Sequence, residues 1–265
     1  MDNPSNQQDI LNTIENGILH LQFNRPHKKN AITQVMYQSL ADALVAAEDD
    51  TQVRVIVISG SPDIFTAGND LEDFMKSAHL LSQTEVKPSI FQFMDALNAC
   101  GKPVIAAVCG AAVGIGTTML QHCDLVYFAE NTKLFMPFTQ LGLCPEYASS
   151  LILPQLMGYH RAAEKLLLGE SFTAQEALAS GFGNRILPNE ECLAYAMQQA
   201  AKIVALPASS IRITKRLLKQ DQVAAVASTM AVENKHFGAM LTAPEAREAF
   251  MAFFQNRKPD FSQFD

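Results

Sequence analysis

The stretch Val104-Ile105-Ala106-Ala107-Val108 is apolar at every position, and the glycine-rich segment Gly110-Ala111-Ala112-Val113-Gly114-Ile115-Gly116 follows it almost at once. A strand with no polar face is typical of a parallel sheet that is covered by helices on both sides. Similar apolar runs at 53–58 and 125–129 predict two further strands. Because helical patterns separate these runs, the spacing predicts an α/β fold.

The N-terminal segment contains a hairpin signal. Asn16-Gly17, the dipeptide most favoured in two-residue hairpin turns, joins two alternating runs at 10–15 and 18–23. A helix is predicted over 33–48, with Val35, Leu40, Leu44 and Val45 as its apolar positions. These patterns predict a β-β-α-β unit at the start of the chain.

The second half of the chain is mainly helical. Thr173-Ala174-Gln175-Glu176 is a capping box, which predicts a helix start. From Glu190 onward four helices are predicted, at roughly 190–204, 208–218, 222–240 and 243–254. We therefore expect an α/β core over residues 1–195 and a C-terminal helical region over 196–265, packed on the core or on a neighbouring subunit.

Composition excludes several classes of function. The 265 residues carry a formal charge of −7, which argues against non-specific nucleic-acid binding, and no apolar run is long enough for a membrane span. Charged residues make up only 18%, so part of the surface is expected to be buried in an oligomer. The five cysteines show no metal spacing, and the N-terminal segment lacks a signal-peptide profile, so we expect a cytoplasmic protein.

Two loops rich in small residues are candidates for a binding site. Segments 65–71 and 110–118 each follow an apolar strand, at the edge where α/β folds bind ligands. Their backbone amides could form a pair of donors for one developing oxyanion. Two structural alternatives stay open: Asp70 could simply cap a helix, and the glycines could simply ease the packing of a helix on a strand.

Glu146 is the candidate general base. It follows Pro145 among apolar residues at a predicted helix start, where burial would raise its pKa and the helix terminus would lower it. The alternative is a first-turn glutamate that only satisfies the helix dipole. No metal site is expected at His122-Cys123-Asp124, and the basic run 211–216 is expected to be a solvated helix face or, alternatively, to contact a ligand phosphate.

Several of these motifs occur together in one known family. Four motifs follow the order and spacing of that family. They are Asn24-Arg25-Pro26 with Asn30-Ala31, Ala67-Gly68-Asn69-Asp70-Leu71, the segment Gly110 to Gly116, and Ala174-Gln175-Glu176-Ala177 with Gly181. With them the sequence resembles the crotonase, or enoyl-CoA hydratase/isomerase, superfamily. The resemblance implies a spiral of ββα turns and a C-terminal helical region that builds a homotrimer or a dimer of trimers.

The resemblance also implies a site for an acyl-CoA thioester. The backbone amides of Asn69 and Ile115 would form the oxyanion hole. CoA is then part of the substrate, and no separate cofactor is expected. The substrate-binding residues would be Ala67, Gly68, Asp70, Leu71 and Gly114, with Lys28 and Lys29 near the phosphates.

One departure from the hydratases is informative. Hydratases of this family use two glutamates, and those positions are Thr118 and Phe138 here. Neither side chain can activate water near neutral pH, so hydration is disfavoured, and Phe138 would keep water away from the intermediate.

Within this family, the sequence is most similar to the Δ3,Δ2-enoyl-CoA isomerases of the peroxisomal type. The similarity lies in the stretch 136–142, Pro145-Glu146 and Ser149-Ser150. The single catalytic glutamate of these isomerases corresponds to Glu146. Tyr147 is expected to narrow the acyl tunnel. The resemblance thus favours an isomerase of 3-enoyl-CoA. The alternatives are another crotonase reaction, namely hydration, thioester hydrolysis or decarboxylation, and a catalytically silent acyl-CoA-binding protein.

Overall fold

The hairpin at the N-terminus has the predicted turn. In a computed structural model, which describes residues 8–77 and 87–264, β1 (Ile10–Glu15) pairs antiparallel with β2 (Ile18–Phe23). Asn16 and Gly17 have φ values of 51° and 80°, the left-handed conformation that a type I′ turn requires. Residues 1–7, which carry most of the segment used to argue against a signal peptide, lie outside the described residues.

Successive ββα turns place one strand in each of two sheets. The first strands are the longer ones, β3 (Val55–Ser59), β5 (Val104–Val108) and β7 (Leu125–Ala129). The second strands have three residues each: β4 (Ile64–Thr66), β6 (Ala111–Val113) and β8 (Lys133–Phe135). The second strands are not predicted by the sequence patterns, and β6 lies inside the segment interpreted as a glycine-rich turn.

The described strands form two sheets that are mainly parallel. With β9 (Phe172–Thr173) and β10 (Arg185–Leu187), the strand orders are β1-β2-β3-β5-β7-β10 and β4-β6-β8-β9. Neighbours from β2 to β10 in the first sheet are parallel, as are β4, β6 and β8 in the second. The α/β prediction is therefore confirmed, and the parallel strands β4, β6 and β8 end at the same edge of the second sheet.

The helices lie close to the predicted positions. They are α1 (Gln34–Asp49), α2 (Leu71–Ser77), α3 (Ser89–Ala99), α4 (Ile115–Thr118), α5 (Ser149–Met157), α6 (Tyr159–Leu168), α7 (Ala174–Ala179), α8 (Cys192–Val204), α9 (Ala208–Lys219), α10 (Val223–Leu241) and α11 (Pro244–Phe254). Thr173 and Glu176 form the predicted capping box at α7. Thr33 caps α1 by accepting a hydrogen bond from the Met36 amide.

Two assignments on the helices are wrong. Val35 and Val45 are exposed, because the buried face of α1 consists of Met36, Tyr37, Leu40, Ala41, Leu44 and Ala47. Lys215, predicted on a solvated face, is buried: its ammonium group donates to the Lys102 carbonyl and to the Asp124 carboxylate at 2.7 Å each. It thereby satisfies buried acceptors beside the start of β5.

The C-terminal helices begin on the sheet itself. Helix α8 packs its small residues Cys192, Ala196 and Ala200 against the first sheet, and the predicted boundary at residue 195 lies within this helix. The division into 1–195 and 196–265 stays a prediction. Within 8–77 and 87–264, no helix is both long and apolar enough to cross a membrane, and no group of three or more acidic, histidine or cysteine side chains is arranged to hold a metal ion.

Candidate active site

A cavity of about 840 Å³ lies beside the ends of β4, β6 and β8. Every residue of the predicted site lines it: Lys28, Lys29, Ala67, Gly68, Asn69, Asp70, Leu71, Gly114, Ile115, Phe138 and Glu146. These residues come from segments that are far apart in the sequence. The fold therefore brings the whole predicted set to one place.

The Asn-Arg-Pro segment fixes the loop that follows β4. The guanidinium group of Arg25 donates to the Ala31 carbonyl and, at 2.8 Å, to the Asp70 carboxylate. The Asn30 side-chain amide donates to the carbonyl oxygens of Ile64 and Phe65. Arg25 and Asn30 thus connect the chain that follows β2 to β4 and to the loop that carries Asn69.

The backbone of Asn69 is oriented by pairing with Ile32. The Ile32 amide donates to Gly68 O at 2.8 Å, and the Asp70 amide donates to Ile32 O at 3.0 Å. Successive peptide groups of an extended segment point in opposite directions, so the Asn69 N–H is directed away from Ile32. The Asn69 side chain is held separately, because Tyr37 Oη donates to its Oδ1 atom.

Asp70 also performs the structural task left open by the sequence. Its Oδ1 atom accepts a hydrogen bond from the Asp73 amide at 3.2 Å, which caps the start of α2. Partial burial raises the pKa of the Asp70 carboxyl, but the Arg25 hydrogen bond and the backbone amides outweigh this and lower the pKa overall. Asp70 is thus an ionised helix cap at the cavity wall rather than a proton carrier.

Ile115 is the first residue of α4, directly after Gly114. Gly114 has a φ of 56° and donates its amide to the Phe135 carbonyl, so it turns the chain from β6 into the helix. An amide in the first turn of a helix has no acceptor within that helix. The Ile115 side chain is buried in the core, so the hydrophobic residue in place of a glycine leaves the amide position intact.

Glycines allow the two amide-bearing loops to lie against each other. At Gly68, which has a φ of 84°, an added Cβ would be 2.7 Å from the Val113 carbonyl oxygen. At Gly116 an added Cβ would be 2.4 Å from Thr66 Cγ2. The structural alternative of glycine-eased packing is therefore correct, and this packing is what places the Asn69 and Ile115 segments side by side.

Glu146 is a buried carboxyl group on a strained turn. Its side chain is 3% exposed, and the following residues Tyr147 and Ala148 have left-handed φ values of 59° and 57°. The Glu146 carbonyl accepts hydrogen bonds from the Ser149 amide and hydroxyl. Helix α5 begins only at Ser149, so Glu146 lies in the turn before the helix, and the alternative of a first-turn glutamate is wrong.

The environment of Glu146 favours its protonated form. Burial and, to a smaller extent, the nearby carboxylate of Glu233 raise its pKa to about 8, although the Thr118 hydroxyl acts weakly in the opposite direction. Thr118 does not make a hydrogen bond of normal geometry here, because Glu146 Oε1 and Thr118 Oγ1 are both buried without a partner among the described residues. The carboxyl group is thus able to gain or lose a proton near neutral pH.

The aromatic neighbours of Glu146 have different tasks. Phe138 lines the cavity and packs edge-on against Phe237, with ring centroids 6.4 Å apart. Tyr147 does not line the cavity, so its predicted role in the acyl tunnel is wrong. Its ring stacks on His122 at 3.8 Å, and its hydroxyl donates to the Met94 carbonyl, because the left-handed turn directs it into the core.

Residues between 237 and 261, at the C-terminal end of the chain, also line the cavity. The sequence patterns did not predict this. The additional residues are Phe237, Ala249, Phe250, Phe253, Phe254, Arg257, Lys258, Pro259 and Phe261. Arg257 donates to both carboxylate oxygens of Glu248, and the Asp260 amide donates to Glu248 Oε1 at 2.9 Å. The basic pair Arg257-Lys258 among phenylalanines, in an otherwise acidic chain, is the signal that could have identified this segment.

The arrangement combines three chemical capacities. Amides at Asn69 and Ile115 can stabilise negative charge on an oxygen, the buried Glu146 carboxyl group in the cavity wall can carry a proton, and Phe138 with its neighbours can exclude water. Lysines 28, 29 and 258 and Arg257 add positive charge at the cavity wall. Such a site suits a ligand that has an apolar part, a carbonyl group and phosphates.

Comparison with known proteins identifies the family. The enoyl-CoA hydratase/isomerase family model matches residues 13–264. Enoyl-CoA delta isomerase 2 of Rattus norvegicus is 35% identical over 252 residues, which are 94% of this chain but only 64% of the rat protein. The 2,3-dehydroadipyl-CoA hydratase of Escherichia coli K12 is 31% identical over 253 residues, covering 96% of this chain and 98% of that protein.

The fold leads to the same family. The crystal structure of an enoyl-CoA hydratase/isomerase from Pseudoalteromonas atlantica T6c is 35% identical to this chain, with a TM-score of 0.90 over 96% of this chain and 100% of that one. The match extends over both sheets and the C-terminal helices. On sequence and on fold, this chain belongs to the enoyl-CoA hydratase/isomerase, or crotonase, family.

Proposed function

We propose that the protein is an isomerase that moves the double bond of a 3-enoyl-CoA to give the 2-trans-enoyl-CoA, a reaction of fatty acid β-oxidation. The observation that carries this proposal is that Glu146 is the one buried carboxyl group among the described residues that line the cavity, with a pKa of about 8, close to neutral pH. By the resemblance of the sequence to the family, the two glutamates of the hydratases correspond to Thr118 and Phe138 here. A reaction that only relocates a proton needs one such carboxyl group.

The proposed mechanism uses the two backbone amides and the Glu146 carboxyl group, which line the same cavity. The thioester carbonyl binds between the Asn69 and Ile115 amides, and the Glu146 carboxylate removes a proton from C2. The C2–H electron pair delocalises into the adjacent carbonyl on one side and into the 3,4 double bond on the other, which gives a dienolate with increased electron density at C4. Glu146 then returns the proton to C4, and the double bond becomes 2,3. Each amide donor is expected to lower the barrier by about 3 kcal/mol.

The remaining lining residues suit the rest of an acyl-CoA. Ala67, Gly68, Asp70, Leu71 and Gly114 would contact the pantetheine and adenine parts, while Lys28, Lys29, Arg257 and Lys258 would meet the phosphates. CoA arrives with the substrate, so the proposed reaction needs no separate cofactor. We further propose a cytoplasmic homotrimer or dimer of trimers.

Hydration is the second candidate, because the Escherichia coli relative is named as a hydratase and is 31% identical to this chain. Product analysis after incubation with a 3-enoyl-CoA and, separately, a 2-enoyl-CoA discriminates among the candidates. The proposal predicts that the 3-enoyl-CoA is converted to a conjugated product of the same mass. Faster addition of water to the 2-enoyl-CoA would contradict it, as would release of free CoA, loss of CO₂, or tight CoA binding without turnover.

A further inference from the structure

Glu233 is a buried glutamate on α10 that the proposed mechanism does not use. Its side chain is 5% exposed, and its carboxylate accepts three hydrogen bonds from the start of α5. The donors are the Ala148 amide at 2.5 Å, the Ser150 amide at 3.0 Å and the Ser150 hydroxyl at 2.5 Å. A residue 83 to 85 positions away along the chain thus caps this helix.

The capped helix end is the segment that carries Glu146. Ala148 occupies the N-cap position, and its methyl side chain cannot accept a hydrogen bond from the helix amides. Tyr147 and Ala148 also adopt left-handed φ values, which non-glycine residues hold only when the surroundings enforce them. The Glu233 carboxylate supplies both the missing acceptor and the constraint on this turn.

We propose that Glu233 is a positioning residue for Glu146: by capping α5 it holds the left-handed turn that presents the Glu146 carboxyl group to the cavity. The proposal deepens the proposed function and rests on it. Glu233 does not line the cavity, and its contacts to the turn are made through Ala148 and Ser150. It therefore acts through Glu146 and not on the substrate.

The charge of Glu233 has a second, measurable consequence. The titratable groups that face Glu146 are Glu233 on α10, Tyr37 on α1, and Cys144 and Tyr147 on its own segment. Burial raises the pKa of Tyr37, Tyr147 and Cys144, so these groups are neutral near pH 7. Burial also raises the pKa of Glu233, although its hydrogen bonds from Ser150 and Ala148 oppose this rise. The ionised Glu233 is the negative charge in this set that opposes ionisation of Glu146.

The test compares Glu233→Gln with Glu233→Asp, using Thr173→Ala as the matched control. Glu233→Gln removes the charge and one acceptor but keeps the size of the side chain. Glu233→Asp keeps the charge but withdraws it by one methylene group. Thr173→Ala removes a cap from α7, which does not line the cavity, and controls for a general loss of helix stability. Ser150→Ala removes one hydrogen bond to Glu233 without changing any charge and serves if Glu233→Gln does not fold.

Two measurements are made on each variant. The first is an NMR titration of ¹³C-labelled glutamate carboxyls without substrate, with the Glu146 signal assigned by its loss in Glu146→Gln. The second is kcat and KM for a 3-enoyl-CoA as a function of pH. We expect Glu233→Gln to lower the Glu146 midpoint by about half a pH unit or more, and to lower kcat about tenfold or more with KM nearly unchanged. Glu233→Asp keeps the midpoint, and Ser150→Ala lowers kcat but not the midpoint.

The inference is overturned if folded Glu233→Gln, or Ser150→Ala in its place, retains the wild-type kcat. It is equally overturned if Thr173→Ala causes the same loss, or if the Glu146 midpoint in Glu233→Gln stays where it is in the wild type. Failure of the proposed function gives a different result, since the wild type would then show no isomerase activity or Glu146→Gln would retain it. The substrate-free titration detects the influence of Glu233 on Glu146 in either case.

Discussion

Glu146 must be ionised to remove a proton, although its buried position favours the neutral acid. Burial and the Glu233 charge raise the pKa of Glu146 to about 8. At neutral pH, Glu146 is therefore protonated in most of the substrate-free molecules. The fraction that can act as a base grows as the pH rises through this value. The rate of isomerisation at low substrate concentration should therefore increase with pH and level off above about pH 8.

A kcat/KM profile between pH 6 and pH 9.5 checks this expectation, because kcat/KM reports the ionisation of the free enzyme. The same profile should be absent from Glu146→Gln. A profile that is flat across this range, or that falls as the pH rises, would mean that the ionised Glu146 is not the base.

The sequence identified Glu146 but could not describe its surroundings. An acid among apolar residues, after a proline, is visible in the sequence, and its burial follows from that pattern. The left-handed φ values at Tyr147 and Ala148 are not visible, because neither residue type favours that conformation. For this reason the expected helical position of Glu146 and the expected orientation of Tyr147 were both wrong.

The contact between the two amide-bearing loops depends on glycine at position 68. In Gly68→Ala the new Cβ would approach the Val113 carbonyl oxygen to 2.7 Å, and the φ of 84° would be strained. We expect a loss of about 1–3 kcal/mol in unfolding free energy, and a lower kcat because the Asn69 and Ile115 amides move apart. Urea denaturation and steady-state kinetics measure the two effects.

Gly238→Ala on α10 is the matched control for this substitution. Its φ is not in the left-handed region, and an added Cβ meets nothing within 4 Å. Alanine there should stabilise the protein by up to about 1 kcal/mol and leave kcat unchanged. Equal kinetics for Gly68→Ala and the wild type would show that the loop contact does not position the amides.

At the scale of elements, the length of each strand or helix determined whether the sequence pattern could predict it. The five-residue strands β3, β5 and β7 have enough apolar residues to be recognised, and the long helices α8, α9, α10 and α11 begin and end within about two residues of their predicted limits. The three-residue strands β4, β6 and β8 are too short to show a periodic pattern. Yet their ends carry the loops that form the cavity.

At the scale of the whole molecule, the C-terminal segment folds back to line the cavity with Arg257 and Lys258. If these groups meet the CoA phosphates, Lys258→Ala should raise KM several-fold for an acyl-CoA and leave kcat within about twofold, since the reacting atoms are untouched. An acyl-pantetheine substrate, which lacks the nucleotide phosphates, is the control and should show no change in KM. An equal effect on both substrates would assign Lys258 a structural role.

The C-terminal helices also present large apolar side chains to solvent in the single chain. Leu217 and Leu218 on α9 and Phe253 and Phe254 on α11 are exposed, with Leu218 at 78%. Burial of such residues favours association. Sedimentation equilibrium should therefore detect trimers or dimers of trimers at micromolar concentration.

Leu218→Glu should shift that equilibrium toward the monomer. Val35→Glu is the control, because Val35 is 77% exposed but lies on α1 in the N-terminal part of the chain. A wild-type protein that sediments as a monomer would contradict the oligomer prediction. The low fraction of charged residues predicts association from sequence alone, and the folded chain adds which exposed apolar side chains are candidates for such a contact.

The central claim is that one carboxyl group moves the proton between C2 and C4. The most direct test is the single-turnover rate at which a 3-enoyl-CoA becomes 2-trans-enoyl-CoA on Glu146→Gln at pH 8, with CoA affinity measured on the same preparation. The account predicts CoA binding close to that of the wild type and a rate lower by about 10² or more, because general acid–base catalysis is lost. A folded, CoA-binding Glu146→Gln that isomerises within tenfold of the wild-type rate would contradict it.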